Sequence, residues 1–297
     1  MESGLSKPFI ETVVENPPDW AHEVIRNWEE IFDRSGVANV MHFVTQEVYE
    51  PLSQIDMRQV IGQDGHFAGQ TWLEAVTDPQ CAPSKTDSAF RKYDDNPSYY
   101  FSGEVQNDMY FSSLNGGLWY CDSGGNHRTI VAKFACEYLS NENGSYPLVC
   151  GVLKHSYVAD LETLDLFKQL YEFRDRGIDI TVEQRQLSDT FIDGKHVLEF
   201  ESTFFVSDSR FDRDNLRSQW LSAQQFRHFA CHILKHNGRI DRFERLKHYW
   251  RKYRRNDFTS LILPPQQAHE WLAVSMRDRF HRCVARYRTR NLPKHSR

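Results

Sequence analysis

The sequence predicts an α+β fold, a mixed sheet with packed helices, followed by a helical C-terminal extension. Three observations lead there. Segments such as NDMYFSSL and KHVLEFESTFFV are rich in aromatic and β-branched residues and carry the two-residue period of half-buried strands. Stretches such as RTIVAKFACEYLS and DLETLDLFKQLYEFRDRG repeat their apolar residues at the three- and four-residue spacing of a helix. In YCDSGGNHRTIVAKF, residues 120–134, a strand-like run passes through a glycine turn directly into a helical pattern.

Each element follows from local pattern. Asp19 offers a cap for a first helix in WAHEVIRNWEEIFDR, where Trp20, Val24, Ile25, Trp28 and Ile31 fall at helical spacing. ANVMHFVTQEVYEPLSQI alternates and predicts one or two strands ending near Pro51. Residues 78–97 are rich in Pro, Ser, Asp and Asn and predict a loop. SYYFSGEV, NDMYFSSL and GLWYCDS then predict three short strands, the last two joined at Asn115-Gly116-Gly117, a strong hairpin signal. In the next helix Ile130, Val131, Phe134, Ala135 and Tyr138 share a face, and Asn141 to Gly144 end it. YPLVCGVLKH predicts a strand, DLETLDLFKQLYEFRDRG a helix stopped near Gly177, and IDITVEQ with KHVLEFESTFFV a hairpin around Asp193-Gly194. The rest predicts helices in NLRSQWLSAQQFRHFACHILKHNG, IDRFERLKHYWRKYRR and PPQQAHEWLAVSMRDRFHRCVARYRTR.

Composition excludes several classes. With 297 residues and 40% hydrophobic content the chain builds a sizeable core in one or two domains. The opening MESGLSKPFIETVVENPPDW lacks the basic-then-apolar pattern of a secretion signal, and no run of about 18 apolar residues occurs. A cytoplasmic protein with no membrane partner is therefore expected. The six cysteines include no CxxC pair, which argues against a zinc ribbon or a secreted disulfide scaffold. The net charge of -5 is unevenly spread: from Arg227 onward there are 18 Lys/Arg against 5 Asp/Glu, whereas residues 1–226 carry 18 against 36. Either the basic end packs on the acidic body, or it offers a face to nucleic acid or phosphate.

The strand–glycine–helix junction is the strongest candidate for chemistry. The first N–H groups of a helix have no intrahelical partner and lie at the positive end of its dipole, so such a junction favours anions. Ser123, Gly124, Gly125, Asn126, His127, Arg128 and Thr129 form the candidate phosphate-binding turn. Gly124 and Gly125 allow close backbone approach, Arg128 offers a fork of donors, and His127 a donor or proton carrier. A glycine turn before a helix is also ordinary strand-to-helix chemistry.

The order of parts resembles the ParB/sulfiredoxin superfamily. EVYEPLSQIDMRQV is similar to its opening strand and turn, LWYCDSGGNHRTIVAKF to its signature strand, glycine turn and helix, and YPLVCGVLKH to the strand that follows, over residues 44–160. The resemblance implies a ParB/sulfiredoxin-like mixed sheet in which this turn grips the phosphates of ATP or CTP, with magnesium, or a nucleic-acid backbone. It implies a nucleotide-dependent phosphoryl-transfer enzyme or hydrolase, of ATPase or DNase type, as in plasmid fertility-inhibition factors that block plasmid transfer. The alternatives are a non-catalytic nucleic-acid- or protein-binding regulator that keeps the phosphate grip, or an effector-type nuclease. Sulfiredoxin activity needs a cysteine where this chain has Asn126, and partition proteins carry Arg-Arg where this chain has His127-Arg128. On this reading residues 1–43 are an N-terminal helical segment, 44–207 the body and 208–297 a basic helical region.

Phosphoryl transfer needs carboxylates near the phosphates and a base or water-orienting group. His127, Asp122 and Asp56 are the catalytic candidates, with the plain alternatives that Asp122 caps the helix and Asp56 starts a turn. Cys121 and Arg128 are seven residues apart, one more than a tyrosine-phosphatase loop has, so Cys121 reads as a buried strand residue. His228, Cys231, His232 and His236 share a helical face but need ligands from elsewhere to hold zinc, and no metal site is assigned. In IDRFERLKHYWRKYRR the aromatics Phe243, Trp250 and Tyr253 form an apolar stripe. Arg251, Lys252, Arg254 and Arg255 are left on a basic face, the candidate DNA-binding surface.

Overall fold

The computed structural model describes residues 7–34, 36, 38–77, 85–102, 109–210 and 217–240. The chain divides into two compact units that interleave along the sequence: residues 1–33, 47–158 and 191–197 form one, and residues 34–46, 159–190 and 198–297 the other. Helices mix with a sheet of both parallel and antiparallel pairs, the α+β class expected.

The first unit contains, in chain order, α1 (Phe9–Glu15), β1 (Arg26–Asn27), α2 (Trp28–Ile31), most of β2 (Val44–Ile55), β3 (Val60–Gln63), α3 (Glu74–Thr77), α4 (Lys85–Asp95), β4 (Tyr110–Leu114), β5 (Trp119–Cys121), α5 (Asn126–Asn143) and β6 (Val149–Ala159). Its strands lie in the order β1-β3-β5-β4-β6-β2. β3 runs parallel to β1 and β5, β4 is antiparallel to β5, and β4 is parallel to β6. The β4–β5 hairpin turns at Asn115 and Gly116, both with positive φ, as the Asn-Gly-Gly signal requires. Helix α5 packs on α4 and buries Ile130, Val131, Phe134 and Ala135 in a core that includes Trp72, Phe90, Phe111 and Val152. Gly144, at φ +70°, ends α5 and donates its N–H to Ser140 O.

Gly62 shows how tightly β3 is packed. A Cβ there would overlap the Arg26 carbonyl and the Tyr120 ring, so the strand passes between β1 and β5 only because this position has no side chain.

The second unit holds α6 (Leu161–Tyr171), most of β7 (Ile178–Ile192) and β8 (Lys195–Asp208), β9 (Arg217–Ser222) and α7 (Ala223–Lys235). Asp160 caps α6 by accepting from the Thr163 N–H, and Arg227 of α7 reaches the same carboxylate at 2.9 Å. The ring of Phe204 stacks on Phe226 at 4.1 Å, and Phe43 meets Phe167 edge-on at 5.4 Å. The predicted hairpin at Asp193-Gly194 is present, both residues having positive φ.

Several predicted elements differ. The expected helix over 20–34 is a short 3₁₀ turn at Asp19–His22, then extended chain, then α2. Tertiary pairing outweighs the helical spacing here: Arg26 aligns with Gly62 on β3, and Ile25 exchanges backbone hydrogen bonds with Gln70 and Gly69. Strand β2 continues past Pro51 to Ile55, accommodating it with Leu52 at φ +57°. The predicted loop over 78–97 contains α4, whose Thr86, Ala89, Phe90 and Tyr93 bury one face. Residues 98–101, expected to open a strand, form turns around a fully buried Tyr100. RSQWLS is β9 rather than helix, because Ser222 and Gln225 form a capping box that starts α7 only at Ala223. The predicted helices beyond residue 240, and with them Arg251, Lys252, Arg254 and Arg255, lie outside the described residues.

Candidate phosphate site at the start of α5

Two neighbouring parallel strands build one wall of the junction. Gln63 at the end of β3 is in register with Cys121 at the end of β5, and the ladder continues one step as the Asp64 N–H donates to Cys121 O at 2.8 Å. Asp64 and Asp122 therefore leave adjacent strand ends together, the edge of a parallel sheet where ligands commonly bind. Fully buried Gln63 donates its side-chain N–H to the Asn126 carbonyl at 3.2 Å, tying the strand end to the first residue of α5.

The turn itself is shaped by two left-handed residues, Ser123 at φ +62° and Gly125 at φ +84°. The Asp122 N–H donates to Tyr110 O at 2.8 Å, and its carboxylate accepts from the Ser112 hydroxyl at 3.0 Å. Asp122 is thus anchored to β4. Gly125 caps α5 without a side-chain hydrogen bond, and its carbonyl accepts from the Thr129 N–H at 2.7 Å. The N–H groups of Asn126, His127 and Arg128 belong to the first turn, where the helix supplies no acceptors. Eighteen residues of helix stand behind them, so the positive end of a long dipole faces the turn. Asn126 Oδ1 and Gln63 Oε1 are buried without a hydrogen-bond partner among the described residues.

His127 is partly buried. Its Nδ1 lies 2.6 Å from the hydroxyl of Thr86, a fully buried residue of α4, and its ring meets Phe67 and His66 edge-on at 5.1 and 5.0 Å. Burial first, then the electrostatic influence of His66 and Lys85, push its pKa down to about 4, so the imidazole is neutral at pH 7. Burial pushes the Tyr100 hydroxyl far above the ordinary tyrosine range, and the guanidinium of partly buried Arg128 opposes the shift. Cys121 is fully buried and donates its S–H to Gly124 O at 3.0 Å; burial pushes its thiol up to about 12, which leaves it inert as a nucleophile. Thr129 is fully buried with its hydroxyl beside that thiol.

The structure brings together Ser123, Gly124, Gly125, Asn126, His127, Arg128 and Asp122. Asp56 has other neighbours. It caps the 3₁₀ turn at Met57–Gln59 and binds the Arg58 guanidinium at 2.6–3.1 Å, which holds its carboxyl below the usual range. Its charge acts on Lys133, Cys136 and Tyr146, whereas Asp122, Asp64 and Arg128 act on Cys121. At the end of α7, His232 and the C-cap residue His236 place their rings 4.8 Å apart, and no group of three or more His, Cys, Asp or Glu among the described residues is arranged to hold a metal.

Sequence reasoning missed Asp64, His66 and Thr86. An Asp-Gly pair, as in GQDGH, is a turn signal, but only the β3–β5 pairing brings Asp64 beside the end of β5. Among the described residues no helix is long and apolar enough to cross a membrane. No family model matches the chain, and no curated protein or solved structure does either.

Proposed function

We propose that the junction between β5 and α5 is a phosphate grip, and that the protein binds a nucleotide there and hydrolyses or transfers its phosphoryl group. The observation that carries this reading is the first turn of α5: three helix N–H groups, a neutral imidazole and a guanidinium share one glycine-shaped turn. The ParB/sulfiredoxin resemblance points to the same residues, with ATP or CTP as ligand and DNA as the other phosphate-bearing candidate. A magnesium ion carried in by the nucleotide would meet Asp122, with Asp64 beside it, and would supply charge neutralisation to the phosphates.

His127 suits a proton-accepting role once an anion is present. A bound phosphate adds negative charge beside the ring and raises its pKa from about 4 toward the operating pH, where a general base is most effective. The engagement of Asp56 with Arg58 favours a second reading, a regulator that grips a nucleotide or DNA without turnover.

The two readings separate in one experiment. Labelled ATP, CTP and single-stranded DNA are titrated against the wild type and Arg128→Ala, and phosphate release and DNA nicking are followed with and without magnesium. Removing one charge-assisted contact should weaken binding by about 10- to 100-fold. Binding that ignores Arg128→Ala sinks the site; binding without turnover selects the regulator.

A further inference from the structure

The start of α5 holds acceptors as well as donors. Gln63, the last residue of β3, is fully buried, and its side-chain Nε2 donates to the carbonyl of Asn126, the first residue of α5, at 3.2 Å. That bond fixes which way round the carboxamide lies: the nitrogen is committed to the helix, and Oε1 is the atom left over. Oε1 is buried with no hydrogen-bond partner among the described residues, and so is Oδ1 of Asn126. Two buried acceptors therefore lack a donor beside the first-turn N–H groups of Asn126, His127 and Arg128, which lack acceptors. Leaving a buried acceptor unpaired is unfavourable, and native structures supply its donor from protein, water or ligand. An anion that brings only lone pairs satisfies the N–H groups and leaves both side-chain oxygens as they were.

We infer that Gln63 Oε1 and Asn126 Oδ1 select a phosphate group that still carries a hydroxyl, the terminal phosphate of a nucleotide or inorganic phosphate, over anions that carry none. The inference rests on the phosphate-grip reading and narrows it. The N–H groups and the Arg128 guanidinium take the bare oxygens of the ligand, and its P–OH donates to one of the two side-chain oxygens. A phosphate monoester holds that proton up to a second pKa of about 6, and inorganic phosphate keeps a further one beyond it. Sulfate and a phosphodiester have no such proton at any working pH. The backbone of DNA is a phosphodiester, so an internal DNA phosphate is not the ligand this pair selects. Charge pulls the other way: sulfate is doubly charged where phosphate is partly singly charged, and a site that read charge alone would prefer sulfate.

Calorimetry on the full chain near pH 6, where about half of a phosphate monoester is protonated, compares inorganic phosphate, ATP, sulfate and dimethyl phosphate. Dimethyl phosphate stands for the nucleic-acid backbone and matches singly charged phosphate in charge. Inorganic phosphate should bind about 10- to 100-fold more tightly than sulfate or dimethyl phosphate, the effect of leaving a buried acceptor unpaired. Whichever of ATP and inorganic phosphate binds more tightly gives the source of the group, and either upholds the inference. Asn126→Ala, at the partly buried first position of α5, and Gln63→Leu should each bring the phosphate-to-sulfate affinity ratio toward one, with folding checked by circular dichroism. If Gln63→Leu does not fold, the ratio in Asn126→Ala decides. Equal affinity of the wild type for phosphate and sulfate, or a ratio that neither variant lowers, overturns the inference: the two oxygens then hold water, and Arg128→Ala can still uphold the grip. If the wild type binds none of the four, the grip and the inference fall together.

Discussion

The neutral state of His127 makes anion binding at α5 pH-dependent, and the size of the effect follows from the structure. Burial, His66 and Lys85 hold the free imidazole near a pKa of about 4. An anion at the turn offsets these effects, and restoring the ordinary value of about 6.5 would amount to about 3.4 kcal/mol of coupling. Sulfate is the right probe because its own charge is constant over the range. Linkage then makes sulfate bind about 20-fold more tightly at pH 5 than at pH 7. Calorimetry at each pH, with NMR titration of the His127 ring, measures both halves of the coupling. His127→Gln should flatten the dependence and keep the affinity of the pH 7 wild type within a few-fold. A free His127 that titrates near 6.5, or a sulfate affinity that is level from pH 7 to 5, would refute the reasoning.

Other consequences concern the scaffold. Gly62→Ala forces a methyl group against the Arg26 carbonyl and the Tyr120 ring, and should lower stability by about 1–3 kcal/mol, read from the urea midpoint. Lys133 is buried, donates to Met57 O and Val60 O at 2.7 and 2.8 Å, and lies over the Trp20 and Trp72 rings. Lys133→Ala leaves both carbonyls without that donor and should cost about 3–5 kcal/mol. Burial also pushes the Lys133 amine down to about 8 from 10.5, so the unfolded chain holds more protons between those values and stability should rise with pH across that window; Lys133→Met should remove the rise. Thr86→Val deletes the hydroxyl that orients His127 while keeping the fold, and should change the His127 tautomer ratio in NMR and lower turnover by about tenfold, with Thr86→Ser restoring both.

What could be read from the sequence was local. The Asn115–Gly116 and Asp193–Gly194 turns, the face and end of α5 and the Asp160-capped α6 each depend on neighbours within a few residues, and all are present. Arg26–Asn27 could not be read, because its strand exists only through pairing with β3, about 36 residues away. Helix α4 was hidden by polar residues around its buried stripe, Thr86, Ala89, Phe90 and Tyr93. The same division runs through the site. Ser123 to Arg128 are contiguous and their turn was visible as a motif, whereas Asp64, His66 and Thr86 arrive on β3 and α4 by sheet order and helix packing. Asp56 follows PLSQI in sequence, but the nearby Arg58 takes its carboxylate.

The most direct test of the phosphate grip is to follow the backbone amide signals of Asn126, His127 and Arg128 by NMR as ATP is added. The account predicts saturable shifts centred on these three N–H groups, at the open end of α5, and their loss in Arg128→Ala. Shifts centred elsewhere, or none at the start of α5 at millimolar ATP, would contradict it.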